Sequence, residues 1–316
     1  MAGGHKSRDG SLQIWPRKRA ARILPSPNWD AIKTGKNLLG FIGYKVGMIS
    51  VYAKDNTPDS MTKGKKIIVP ATILECPALK IYSIRFYKNG KVAKDLIVGF
   101  EDELKSKLKK PAQMQKLDSV NIDYDDLRIL VYSNVKDTAI KSVPDLLEIA
   151  LFGTKEQKMN FIKEKIGKQI LVSEVFSDGL VDVRGVTRGK GLQGPVKRFG
   201  ISLKDHKSEK GRRRPGNLAP WHPARVTFRT AMAGQTGFFT RIVYNNLILK
   251  IGKTSENNIN KEQGFHKYGK IKTDYIILRG SIPGSNKRPM IITYSIRPTK
   301  EQIKKKFEVV ELRWKL

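Results

Sequence analysis

Between Arg184 and Arg241 the chain sets fourteen lysines and arginines against two acids, Asp205 and Glu209, a formal charge of +12 over 58 residues. The same window holds seven glycines between Gly185 and Gly216. A cation buried without a partner forfeits several kcal/mol of hydration, so no compact core can absorb this segment. It must lie outside any core, against a polyanion. The whole chain points the same way, with 61 basic and 29 acidic residues giving a net charge of +32 over 316 residues. A soluble small domain usually carries a net charge of magnitude ~2–8, so a chain this basic attracts anions wherever it is exposed.

The length allows two domains or one elaborated domain. An apolar fraction of 39% lies below the globular average of about 45–50%. A core is therefore expected, with much of the chain outside it. The single cysteine, Cys76, excludes an intramolecular disulfide, suits a reducing compartment and is expected to be a small core residue. Residues 1–30 are polar and basic with no apolar stretch, so no secretory leader is expected. No apolar run reaches the ~20 residues that span a bilayer, and no membrane partner is expected.

Charge and pattern vary along the chain. Residues 1–36 hold eight lysines and arginines and two acids, with Arg17, Lys18, Arg19 and Arg22 close together. Pro25, Pro27 and Gly35 argue against regular structure there, so the segment reads as an extended arm. Short β-rich runs begin near Phe41; Ile67 to Cys76 and Ile81 to Tyr87 fit strands, and Asn89-Gly90 is a strong hairpin signal. Residues 95–165 contain thirteen acids and twelve bases and read as a near-neutral, helix-rich insertion. Ser142 with Pro144 predicts a short helix running to Gly153. Thr154 and Gln157 predict a capping box for a second helix ending at Gly167. Strand character returns at Gln169 to Phe176, with Asp178-Gly179 turning into Leu180 to Val186. Beyond the basic window, Phe238 to Ile251, Tyr275 to Arg279 and Met290 to Ile296 fit strands, and the last residues alternate apolar and charged through Trp314. β-rich segments thus bracket both excursions, which predicts one β core.

Several motifs tempt and fail. Gly189-Lys-Gly-Leu-Gln-Gly194 has the spacing of a dinucleotide fingerprint, which works only if a helix starts at the glycines and an acid follows about twenty residues on. Pro195 and a basic run follow instead, and Arg214 stands near the acid's place. The glycines better suit close approach to phosphate, with Arg188, Lys190, Lys197 and Arg198 supplying charge. Gly252-Lys-Thr254 resembles the end of a P-loop, but the first glycine's place is Leu247. His5, His206, His222 and His266 lack metal-ligand spacing, and no nucleophile is placed beside them. His206 and His222 fit stacking on bases or donation to phosphates. Asp102/Glu103 and Asp125/Asp126 read as solvated faces and caps. No metal, cofactor, small-molecule substrate or catalytic residue is expected. Trp221 stands between Pro220 and His222-Pro223, just after Arg212-Arg213-Arg214. A tryptophan on a stiff basic loop suits base stacking, worth ~1–3 kcal/mol per base.

Three groups of residues carry a resemblance. Phe176-Ser-Asp-Gly-Leu-Val-Asp-Val-Arg-Gly-Val-Thr-Arg-Gly-Lys-Gly-Leu-Gln-Gly-Pro-Val-Lys-Arg198 resembles the signature of the universal large-subunit ribosomal protein L-three family. Gly40-Phe-Ile-Gly-Tyr-Lys-Val-Gly-Met48, Ala233-Gly-Gln-Thr-Gly237 and Gly280-Ser-Ile-Pro-Gly284 resemble it too. Pro16-Arg-Lys-Arg-Ala20 and Ala219-Pro-Trp-His-Pro-Ala224 are similar to its archaeal and eukaryotic branch. The resemblance implies a mainly β fold with α insertions (α+β), built on a closed β-barrel of the translation-protein type. It further implies extensions threaded into large-subunit ribosomal RNA, early binding during subunit assembly, and neighbouring ribosomal proteins near the barrel. On this likeness the Trp221 loop approaches the peptidyl-transferase region of a cytoplasmic ribosome.

The expected organisation is then a basic arm over 1–36, a first part of the core over 37–100 and the insertion over 101–166. Strands over 167–186 lead into the RNA-penetrating basic loop over 187–237, and 238–316 completes the core with a C-terminal extension. Phosphate contact is expected of Arg184, Arg188, Lys190, Lys197, Arg198, Arg212, Arg213 and Arg214. The RNA-binding set also includes Arg17, Lys18, Arg19, Arg22, Gly189, Gly191, Trp221, His222, Arg225, Arg229 and Arg241. Without RNA, residues 187–236 are expected to be largely disordered. A DNA-binding chromosomal protein would share the charge but should show a recognition helix or dimerising ribbon. An RNA-modifying enzyme would need a cofactor pocket, for which the failed fingerprint is the sole candidate.

Overall fold

The computed structural model describes residues 13–111, 117, 123–138 and 140–313. Expectations for His5, Trp314 and part of the 101–166 insertion lie outside them. The chain divides into two compact units, one from Arg22–Gly185 and Arg241–Leu316, the other from Met1–Ala21 and Val186–Thr240. The strands are β1 (Gly40–Asp55), β2 (Lys66–Glu75), β3 (Leu79–Lys88), β4 (Lys91–Ile97), β5 (Asp126–Ser133), β6 (Leu146–Ala150) and β7 (Leu180–Val186). They continue as β8 (Leu192–Gln193), β9 (Gly234–Gln235), β10 (Thr240–Lys253), β11 (Asp274–Arg279), β12 (Pro289–Tyr294) and β13 (Phe307–Arg313). The helices are α1 (Lys155–Lys165), α2 (Val172–Val175), α3 (Pro195–Phe199) and α4 (Lys300–Lys304).

In the larger unit a seven-stranded sheet runs β12-β7-β10-β11-β2-β1-β13, and β12 pairs additionally with β1. β1 organises it. Its first half lies against β12, from Gly40↔Thr293 to Tyr44↔Pro289, and its second half against β13. Along its other edge β2 runs from Tyr44↔Glu75 to Lys54↔Lys66. The first seven residues of β1 are all buried, with Phe41, Ile42, Tyr44 and Val46 packed into the hydrophobic clusters of the larger unit, so its apolar run needs no alternation. Gly40 permits a close approach here: a Cβ would lie 2.9 Å from the Trp29 ring. The Cys76 thiol is buried in the same core, as expected.

A four-stranded sheet runs β4-β3-β5-β6. Asn89 and Gly90, at φ 50° and 72°, make the turn between β3 and β4, the conformation in which this pair closes hairpins. The two sheets meet at a buried polar knot. The Tyr44 hydroxyl of β1 donates to Asp145 Oδ2 at 2.7 Å and lies 2.7 Å from Ser133 Oγ of β5. Burial and the Asp145 charge push the Tyr44 pKa upward, keeping the hydroxyl a donor.

Three expectations need correction. The near-neutral insertion is not helix-rich where described: β5 and β6 build half of the smaller sheet, and Ser142–Gly153 holds strand β6 rather than a helix. Leu147 and Ile149 alternate with half-buried neighbours against β5, and that cross-strand burial outweighs the capping signal at Ser142. β3 and β4 join β5 and β6 in a second sheet, and strands of both sheets contribute to one shared hydrophobic cluster. Gln169–Phe176 is not a strand either; Ile170 bridges Leu79 and the one-turn helix α2 follows. Finally, the arm does not extend to residue 36. Trp29 and Ile32 are buried in the main core of the larger unit, and only the residues up to Ala21 group with the basic window. The capping box is present as expected, with Thr154 and Gln157 bonding reciprocally at the start of α1.

Many acids of the larger unit lie within ion-pair distance of a cation. Arg85 reaches Asp95 at 2.9 Å and Glu148 at 2.6 Å. Arg128 meets Asp30 at 3.0 Å and Asp126 at 3.3 Å, while Lys158 meets Asp126 at 2.5 Å and Lys165 meets Glu174 at 2.7 Å.

Candidate nucleic-acid interface

The smaller unit is a stem with an irregular tip. At the stem base the Thr187 amide donates to Phe239 O at 2.9 Å. Above it the Lys190 amide donates to Thr236 O and the Thr236 amide to Gly191 O, both at 2.9 Å, before β8 and β9 pair Leu192↔Gln235 and Gln193↔Gly234. Gly237 (φ 73°) is required here, because a Cβ would fall 2.0 Å from Arg188 O. Pro195 opens α3 and Gly200, left-handed at φ 63°, ends it.

This geometry disposes of the dinucleotide reading. The Lys190 amide and the Gly191 carbonyl are engaged in the ladder to residue 236, so the glycine run builds a stem rather than a pyrophosphate cradle. Gly191 has open space beside its Cα, and Arg188, Lys190 and Lys197 are exposed.

The described part of the arm, residues 13–21, closes on this stem. Trp15 stacks on Phe199 (centroids 6.2 Å apart, planes 13° apart) and meets Phe228 edge-on at 5.4 Å. The Arg17 guanidinium sits 4.3 Å over the Phe199 ring and 5.1 Å from that of Trp15. The Ala20 amide donates to Phe238 O at 2.8 Å. Arg198 crosses the stem, its Nε donating to Gln235 O at 3.1 Å and its Nη1 to Met232 O at 3.0 Å. Arg17 and Arg198 thus hold the unit together, a role the charge pattern alone does not disclose. The signal was present in Trp15, Phe199 and Phe228, three aromatics flanked by arginines.

Beyond the stem, residues 201–231 form no regular element. Lys204 and Arg212 cross-brace one bend, the Lys204 amide donating to Arg212 O at 3.1 Å and Arg212 Nε to Lys204 O at 3.2 Å. The Thr230 hydroxyl ties back to Leu218 O at 2.9 Å. Between these braces Trp221 is 87% exposed, with His222, Ala224, Arg225 and Val226 around the same shallow concavity. Arg213, Arg214, Arg225 and Arg229 are exposed as well, and so are Lys18, Arg19 and Arg22 outside the loop.

Among the described residues, no lysine or arginine from Arg188 to Arg229 has a carboxylate within ion-pair distance, while His206 lies 3.2 Å from Asp205. Two further members of the expected RNA-binding set differ. Arg184 is 3% exposed, inside the larger unit, and donates from Nη1 to Thr293 Oγ1. Desolvation lowers its pKa, and nearby Asp182 opposes that shift. Its place on β7, covered on both faces from 181 to 185, removes it from any phosphate. Arg241 is only half-exposed on β10. Gly189 lies beside Phe238 at ordinary contact distance. No group of three or more histidines, cysteines or acids gathers as a metal site among the described residues, and no helix is long and apolar enough to cross a membrane.

A β scaffold in one chain with a dense run of cations that have no carboxylate partners is the build of a nucleic-acid-binding structural protein. The family model for ribosomal protein L3 matches residues 3–111 and 84–315. The large ribosomal subunit protein uL3 of Methanothermobacter thermautotrophicus is 38% identical over 323 residues, covering 96% of this chain and 95% of its own. Those of Archaeoglobus fulgidus and Methanosphaera stadtmanae are each 37% identical, covering 94% and 96% of this chain and 93% and 95% of their own. The chain belongs to the ribosomal protein L3 family.

Proposed function

We propose that the chain is a structural, non-catalytic constituent of the cytoplasmic large ribosomal subunit. Its arm and basic loop lie in large-subunit ribosomal RNA, and its sheets meet neighbouring ribosomal proteins. The carrying observation is the dense run of cations from Arg188 to Arg229 without carboxylate partners. Phosphates are the missing counter-ions. The ligands are then Lys18, Arg19, Arg22, Arg188, Lys190, Lys197, Arg212, Arg213, Arg214, Arg225 and Arg229, with Trp221 and His222 at the tip. Trp221, exposed and flanked by prolines, suits stacking in folded RNA near the peptidyl-transferase region. Family membership supports early entry into the assembling subunit. The second pairing of β12, onto β1, supports closure of the larger sheet into a barrel through β12-β7-β10-β11-β2-β1.

Co-sedimentation with large subunits, with crosslinks mapped along the RNA, tests the reading. Crosslinks should concentrate at residues 188–229 and reach ribosomal RNA. Equal preference for duplex DNA in competition with folded ribosomal RNA would overturn it.

A further inference from the structure

Two loops of the larger unit, residues 254–273 and 280–288, carry exposed lysines remote in sequence from both the arm and the basic window. Each loop is fixed from below by a buried charged side chain. Glu75 ends β2 and is fully buried; its Oε1 accepts from the Lys272 amide at 2.9 Å, the Thr273 amide at 3.1 Å and the Thr273 hydroxyl at 3.0 Å. Its Oε2 accepts from the Tyr268 hydroxyl. Lys45 in β1 is 8% exposed, and its ammonium donates to Ile282 O at 2.6 Å and Gly284 O at 3.3 Å. The register places Tyr44 opposite Glu75 and Lys45 opposite Leu74, so the two anchors sit one step apart on neighbouring strands.

The loops are rigid and joined. Asn260 pins the first by accepting from the Ile271 amide at 2.7 Å and donating to Ile271 O at 2.8 Å, while Phe265, Tyr268 and Ile271 turn inward to the core. In the second loop the Lys287 amide donates to Lys45 O at 2.8 Å. Asn286 Nδ2 then donates to His266 O at 2.8 Å, linking the two tips. At those tips Lys267 and Lys287 are both left-handed, φ 60° and 66°, a conformation disfavoured for residues with a Cβ and imposed here by the surrounding bonds.

The exposed side chains of the two loops are polar or charged, the acids Glu256 and Glu262 among them. Lys267, Lys270, Lys272 and Lys287 are exposed, and none has a carboxylate within ion-pair distance among the described residues. No large apolar side chain is exposed between 254 and 288. Protein interfaces are anchored by buried aromatic and apolar groups, whereas phosphate binding needs only well-placed cations. We propose that these two loops form a second phosphate-binding surface, on the larger unit, that takes RNA backbone phosphates at Lys267, Lys270, Lys272 and Lys287.

The inference rests on the ribosomal RNA reading and is tested apart from it. Binding of the full-length chain to purified large-subunit ribosomal RNA is measured across a salt titration. Each phosphate neutralised contributes about 0.7–0.9 to the log–log slope. Replacing all four lysines by glutamine should lower the slope by about 2.8–3.6. Lys267→Gly with Lys287→Gly, which suits the left-handed backbone and so keeps the fold, should lower it by about 1.4–1.8. A control removing four other exposed lysines, Lys63, Lys91, Lys109 and Lys110, should leave it unchanged. A wild-type slope in both loop variants, or an equal fall in the control, overturns the proposal. A shallow slope in the wild-type chain would instead sink the RNA reading itself.

Discussion

Arg17 lies over the Phe199 ring at 4.3 Å while its Nη1 donates to the Arg198 carbonyl at 3.3 Å, joining positions 181 residues apart. A cation that looks available for phosphate is therefore a brace between arm and stem. Cation–π contacts of this kind contribute ~0.5–2 kcal/mol, more when desolvated.

Trp15→Ala removes the stack on Phe199 and the edge contact to Phe228. Each aromatic pair is worth ~0.5–1.5 kcal/mol beyond its buried area. Amide exchange at Lys190, Arg198 and Thr236 should rise about ten-fold or more, with Ile277 and Ile291 in the larger sheet unaffected. Unchanged exchange at the stem would show that the arm does not brace it. In the unbound wild type, tip amides from 203 to 229 should exchange far faster than these stem amides, because their bonds are few and solvent-exposed.

Trp221→Ala separates folding from function. With 87% of the side chain exposed, its loss should change stability by less than about 0.5 kcal/mol. Removing a stacking partner should weaken RNA association by ~1–3 kcal/mol. Thermal unfolding beside an affinity measurement on the same variant decides the matter; a large fall in Tm would make Trp221 a packing residue.

Arg184→Gln should behave in the opposite way. The buried guanidinium bonds to Thr293 across the β7–β12 pair, and loss of that charged hydrogen bond is expected to cost ~1.5–3 kcal/mol in urea unfolding. The salt slope of RNA binding should stay at the wild-type value. A fall of about 0.7–0.9 in that slope without loss of stability would return Arg184 to the RNA-contacting set.

Acid sensitivity should trace in part to Asp55. Its carboxylate accepts from the Thr57 amide at 2.9 Å and the Ser60 and Thr62 hydroxyls at 2.7 and 2.5 Å. The bonds from Thr57, Thr62 and Ser60 hold its pKa well below the usual carboxylate value. The unfolded chain then binds this proton more readily than the folded one. The stabilisation is complete above the unfolded value of about 3.9 and is lost as pH falls toward the lower folded value. Asp55→Asn should flatten that acid limb of the stability–pH profile; an unaltered limb would remove Asp55 from the explanation.

Local features were legible in the sequence where one short stretch contains all its partners. Asn89-Gly90 needs only its own φ angles to close β3 onto β4, and Thr154 needs only Gln157. β6 was misread because its five residues acquire their period-2 burial only from β5, whose Leu130 pairs with Glu148. Arg184 was misplaced for a related reason. β7 is covered on both faces, so its alternation carries no inside–outside signal, and the Thr293 that receives its guanidinium is 109 residues away. The basic window was legible as a whole, since charge density survives any folding. Its internal division was not: Arg198 and Lys197 are neighbours in sequence, yet one laces the stem and the other faces solvent.

β1 has one further consequence. It is synthesised near the start of the chain, while β12 and β13, which cover opposite halves of one of its edges, come last. A ribosome that stops before residue 289 releases a sixteen-residue strand with that edge bare, a template for aggregation or proteolysis. Chains cut short before β12 are therefore expected to be lost from the stable pool.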